Sequence, residues 1–326
     1  MILDITRHKF YEGLLTLLGT TIIMITLLAV SAGESGIAPA PYSGLMSFIG
    51  SLTGGIGFIE GVFIVFIYFV SVLSLSRAAL RSHIYPTDTM APMALSAVLL
   101  LPMIVTEDAL RQAVVVLLMS YSLANMFYCF GPHRRVNRLF TAMAVSGTLA
   151  VVEASLVVVP IVMSLALIVA RKKFREALVV VVGLLLPMFA YCYIEWLLGD
   201  SFAHTLSLWW SSLTTNFNID ILDNITLTRL VFMAFVIFLQ AVSLVLNVSQ
   251  RDVRSSGARG VWRTLQLLFV VALCAALLLP SASASLLTVI VATAVAMLSV
   301  YFIHCNIMIS VVTYTALLSL AVAASL

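Results

Sequence analysis

The stretch Leu139–Ala170, LFTAMAVSGTLAVVEASLVVVPIVMSLALIVA, decides how this chain is threaded. It holds one charged residue, Glu153, and one proline, Pro160. As a single helix its 32 residues would extend ~48 Å, far more than the ~30 Å hydrocarbon core requires. As two pieces of ~15 residues, each reaching ~22 Å, it would dip into the membrane and return to the same side. The basic residues discriminate between these. With a hairpin, fifteen of the seventeen Lys and Arg fall on one side and only Arg111 and Arg229 on the other. With a single helix everything downstream flips, and the split becomes eight against nine. Because cytoplasmic joints carry the excess of Lys and Arg, the hairpin is preferred. The N-terminus is then cytoplasmic and the C-terminus faces outward. Whether 139–170 re-enters or crosses twice stays open at this stage.

Working outward from that stretch, the chain is 62% hydrophobic and only 10% charged, with a mean hydropathy of +1.15. Soluble domains carry about a quarter charged residues, so a soluble globular protein is excluded. Backbone amides cannot stay unpaired in lipid, which leaves helices or a closed barrel. The apolar runs are continuous rather than alternating, so the fold class is all-α, a polytopic transmembrane bundle. Full spans are expected near 13–32, 56–76, 91–106, 112–131, 176–198, 226–247, 264–280, 284–303 and 307–325. That makes about nine crossings plus the short re-entrant hairpin, in one membrane domain over 1–326. The opening resembles a signal sequence, but the run 13–32 exceeds a typical 7–15-residue apolar core and reads as an uncleaved first helix. Ser201–Leu213, with Trp209 and Trp210, reads as an amphipathic segment in the outer interface. Leu-Leu-Leu-Pro recurs at 99–102, 184–187 and 277–280, a faint echo of the Pro-interrupted helices found in transporter repeats.

An ionisable group inside a bilayer costs a few kcal/mol and calls for a reason. Three carboxylates are placed there: Glu153 near the hairpin apex, Glu60 one turn inside the second span, and Glu195 near the outer end of 176–198. Each either lines a polar cavity or holds neighbouring helices in register. On the outer side, Glu34, Glu107 and Asp108 are weak catalytic candidates, with Arg111 and Arg229 as nearby cations. Arg134, Arg135, Arg138, Arg171, Lys172, Lys173 and Arg175 form the cytoplasmic basic group, which sets topology and attracts anionic lipid headgroups. The four cysteines and five histidines lack metal-ligand spacing, so neither metal nor cofactor is expected. The expected partners are membrane lipids and other membrane proteins, not nucleic acid.

Two resemblances follow from particular residues. Arg171-Lys172-Lys173-Phe174-Arg175-Glu176, leading into a helix with Gly183 and Pro187, resembles a family of polytopic bacterial inner-membrane proteins that share a basic-aromatic-Arg-Glu turn before a Gly…Pro helix. It implies a bacterial inner membrane and brings no activity. Glu34, followed by Pro39, Pro41 and Gly44–Gly50, resembles the first outer loop of polytopic glycosyltransferases that use polyprenyl-phosphate sugars, where a carboxylate acts as base or metal ligand. Three functions are thus in play, ranked from sequence in this order: a non-enzymatic subunit or assembly factor of cell-envelope machinery, a polyprenyl-phosphate-sugar-dependent glycosyltransferase at the outer face, and a transporter or lipid flippase.

Overall fold

A computed structural model describes residues 10–34, 57–81, 85, 89–106, 108–130, 136–171, 173–197, 199, 201–214, 226–249, 256–278 and 284–326. Among them the chain forms twelve α-helices and one 3-10 turn, with no strand. The helices are α1 (Phe10–Glu34), α2 (Gly57–Arg81), α3 (Ala91–Ile104), α4 (Ala109–Cys129), α5 (Val136–Val152), α6 (Val158–Arg171), α7 (Phe174–Leu197), α8 (Phe202–Thr214), α9 (Leu227–Ser249), α10 (Ser256–Leu278), α11 (Ala284–His304) and α12 (Ile307–Ser325). The 3-10 turn Ala154–Val157 joins α5 to α6. Seven of the helices, α2, α4, α7 and α9 to α12, are long and apolar enough to cross a membrane. That points to a helical membrane protein.

The centre of the bundle is α3 and α11, which touch each other and most of the remaining helices. Both are apolar all round, the pattern of a helix with no solvated face. Their few polar side chains are short and fold back on their own helix, as Ser96, Thr293 and Ser299 do onto carbonyls three or four residues earlier. Longer polar groups stitch neighbouring helices together. Gln112 of α4 donates to Ser285 and accepts from Thr288, both on α11, each at 3.0 Å. The Tyr68 hydroxyl of α2 sits 2.6 Å from the Ala97 carbonyl of α3 and 2.9 Å from the Thr20 hydroxyl of α1. Tyr85, in the joint between α2 and α3, folds inward so that its hydroxyl donates to the Ala296 carbonyl at 2.8 Å.

The stretch 139–170 is not one helix. The backbone breaks at Glu153, which is extended (φ −152°, ψ 122°), and α6 runs back along α5. Two glycines then fix α7 against α5. A Cβ on Gly147 would stand 2.6 Å from the Leu184 carbonyl oxygen and 3.1 Å from the Pro187 ring, while one on Gly183 would meet Met143 and the Phe140 carbonyl at 3.0–3.1 Å. Small residues let two backbones approach this closely. The pairing of 140 and 143 with 183, and of 147 with 184 and 187, advances in the same direction on both helices, so α5 and α7 run parallel. The connection between them must therefore return, and α6 provides it.

Some element ends differ from the sequence expectation. The helix α10 begins at Ser256 rather than near 264, so Arg259 and Arg263 belong to its first turns, and α2 runs on through Arg77 to Arg81. Hydropathy marks where apolar residues start; a helix continues beyond that point because long cationic side chains can reach the headgroups while their stems stay on the helix.

Candidate functional site

The tip of the hairpin is built around Glu153. The Ser155 hydroxyl donates to its Oε1 at 3.0 Å. Its Oε2 is buried and has no hydrogen-bond partner among the described residues. The amphipathic segment expected at 201–213 is α8, and it closes over this tip: the Trp209 indole N–H donates to the Ala150 carbonyl, in the last turn of α5, at 2.9 Å. That carbonyl is one of the four that an α-helix leaves unpaired at its C-terminal end, so the indole meets a need created by the break.

How deep the tip reaches follows from the α4–α5 register. Ser122 of α4 donates to the Ala142 carbonyl of α5 at 3.1 Å. Lower down, Arg138 donates to Asn125 at 2.9 Å, and its guanidinium lies 5.3 Å from the Tyr128 ring centroid. The helices are antiparallel, so eleven residues from Ser122 to Arg111 on α4 match eleven from Ala142 to Glu153 on α5, a climb of ~16 Å. Glu153 therefore stands level with Arg111, in the first turn of α4, rather than halfway along it. Arg111 also shares a face with Ser122 and Asn125, because separations of eleven and fourteen residues are close to three and four whole helical turns. Both of those residues bond to α5, so Arg111 sits on the face turned toward the hairpin.

Arg111 forms an ion pair with Asp108, the residue that precedes α4. Asp108 makes no side-chain capping bond to the helix start, and the two side chains are 31% and 24% exposed for Arg111 and Asp108 respectively. The Arg111 Nε is buried and, like Glu153 Oε2, has no partner among the described residues. By the α4–α5 register two carboxylates and one guanidinium fall at one level, with one donor and one acceptor that have no partner among the described residues.

The other candidates are dispersed. Arg229, at the start of α9, donates from Nε to the Ala324 carbonyl at 3.1 Å and from Nη2 to the Val105 carbonyl at 2.6 Å, which ties together the ends of α12 and α3. Glu60 occupies the first turn of α2 and Glu195 the last turn of α7, both half-buried. Parallel register with α5 brings Tyr191 and Tyr193 close to the level of the tip, and Glu195 about half a turn further on. Glu34 ends α1 and Arg171 ends α6. Lys173 and Arg175 are exposed at the start of α7, at the same end of the bundle as Arg138. Glu107, Arg134, Arg135 and Lys172, together with the loop that follows Glu34, lie outside the described residues. Among the described residues no cluster of three or more His, Cys, Asp or Glu could hold a metal ion.

Sequence reasoning had named Glu153, Asp108 and Arg111 but not their common layer. A polar stripe at eleven- and fourteen-residue spacing on α4 was the available signal. No family model, curated protein or solved structure matches this chain.

Proposed function

We propose that the chain crosses a bacterial inner membrane nine times, with the N-terminus cytoplasmic and the C-terminus outward, and that α5–α6 is a re-entrant hairpin whose tip serves a group transfer at the outer face. The count adds α1 and the 14-residue α3 to the seven long apolar helices. The orientation rests on the basic residues gathered at one end. The transfer we propose is that of a sugar from a polyprenyl phosphate to a hydroxyl acceptor, in line with the resemblance of the Glu34 region to enzymes of that class.

What supports this is the α4–α5 register, which puts Glu153, at the break after α5, at the level of Arg111 in the first turn of α4, each with a buried polar atom that has no partner among the described residues. General-base work needs a carboxylate within reach of the acceptor hydroxyl, and a phosphate leaving group needs a nearby cation. In the proposed step the acceptor oxygen bonds to the anomeric carbon and its proton passes to Glu153. The bond from the anomeric carbon to the phosphate oxygen breaks, and the electron pair leaves with the polyprenyl phosphate toward Arg111. A lipid substrate would enter from the outer leaflet, beside α8.

A second reading, the non-enzymatic subunit of envelope machinery, draws support from Gln112, Tyr68 and Arg229, all of which are committed to bonds within the protein. Native mass spectrometry of protein extracted from its own membrane separates the two. The first reading expects a retained polyprenyl phosphate without a stoichiometric protein partner. It also expects Glu153→Gln to keep the lipid while ending consumption of a polyprenyl-phosphate hexose in membranes. Stoichiometric partners, no lipid and indifference to Glu153→Gln would overturn it in favour of the second.

A further inference from the structure

Resting on that reading, we infer that Asp108 is a displaceable counter-ion: it holds Arg111 while the site is empty and must release it for the phosphate of a lipid substrate to bind. A guanidinium offers five N–H donors in a fixed fork, and Asp108 engages Arg111 through Nη2. The buried Nε is left over on the same group. On the facing hairpin Ser155 occupies one oxygen of Glu153 and leaves the other open. The complementary ligand carries an anionic oxygen for Arg111 and a hydroxyl for Glu153, which is the pair of groups a phosphate-bearing donor and an alcohol acceptor bring together.

Charge explains why Asp108 has to move. With Asp108 in place the guanidinium is already paired with a carboxylate, which leaves it less able to attract an incoming phosphate. The Asp108 side chain is lightly held: its carbonyl accepts from the Gln112 amide, but its carboxylate makes no capping bond, and its pair with Arg111 is partly exposed, the setting in which ion pairs are weakest. A phosphate also forms a bidentate pair with a guanidinium and so competes well with a single carboxylate contact.

The test titrates the full chain in lipid nanodiscs with undecaprenyl phosphate, read by native mass spectrometry. Asp108→Asn is expected to bind about two- to five-fold tighter, the range set by the strength of a partly exposed ion pair. Asp108→Glu should stay at the wild-type affinity, because it keeps the charge. Arg111→Gln should weaken binding, and adding Asp108→Asn to it should then change nothing. Unchanged or weaker binding by Asp108→Asn, in a protein whose lipid binding does depend on Arg111, would overturn the counter-ion role alone. A wild-type protein that takes up no lipid, or that binds it equally without Arg111, would overturn the transfer reading and this inference together.

Discussion

Two arginines stand at the end of the bundle that we assign to the outer face, and the protein uses them differently. Arg229 reaches from α9 to the carbonyls that end α3 and α12. The last carbonyls of a helix lack intrahelical partners and carry its negative dipole end, so a cation placed there meets both needs. Arg111 has instead one ion-pair partner among the described residues, Asp108, with partial exposure and an Nε that has no partner among them. One arginine completes the architecture and the other is only parked. The difference separates an anchoring charge from an available one, although in sequence both are lone cations in an acidic outer layer.

The sharpest way to break the comparison is to remove the anchor. Arg229→Gln leaves two helix ends without their donor. Hydrogen bonds to charged groups contribute roughly 1.5–3 kcal/mol each, and the shorter glutamine cannot span both carbonyls, so with both bonds lost a destabilisation of about 3 kcal/mol or more is expected. Thermal unfolding in mild detergent, followed by fluorescence-detected size exclusion, would measure it. If Arg229→Gln unfolds at the wild-type temperature, Arg229 is no anchor and the contrast with Arg111 collapses.

A smaller effect, which tests the hairpin instead, is expected from Gly147→Ala. The new Cβ would lie 2.6 Å from the Leu184 carbonyl, so backbone has to shift, at a cost of about 1–3 kcal/mol. Because α5 carries the tip, the shift should also move Glu153 relative to Arg111 and weaken undecaprenyl phosphate binding. Gly19→Ala is the control, since nothing lies within 4 Å of its added Cβ. Wild-type stability for Gly147→Ala would mean that α5 and α7 do not pack as closely as the parallel register requires.

The helical class and the break in 139–170 were legible without a structure, because continuous apolar runs and a run of the wrong length for one crossing are properties of sequence. The break at Glu153, the amphipathic α8 and the positions of the long helices follow from the same signals. Other features depend on tertiary register and leave little trace. Arg111 and Glu153 are far apart in sequence, and only the Ser122–Ala142 bond brings them to one level. Tyr85 lies in a polar joint yet reaches the middle of α11, and no local pattern announces it. Gly183 and Pro187 carry the family resemblance in sequence; in the fold Pro187 packs against Gly147, and Gly183 against Phe140 and Met143. Scarcity of ionisable groups favoured a scaffold when residues were counted along the chain. The register alters that weighting, because the few that exist include three in one layer.

The smallest effect sharpens the comparison from the other side. Arg111→Gln should change stability by less than about 1 kcal/mol, because it breaks a partly exposed ion pair between residues three apart on one helical turn. The same assay as for Arg229→Gln makes the two arginines directly comparable, and the expected ratio is at least three to one. A loss from Arg111→Gln as large as that from Arg229→Gln would show that the guanidinium is held by more than Asp108, most simply by Glu153 across the layer. The tip would then be a closed ion-pair triad that fastens the hairpin to α4, a structural clasp with no free cation to offer a phosphate. A small loss, accompanied by weakened lipid binding, would place Arg111 where its idle Nε suggests: on a ligand.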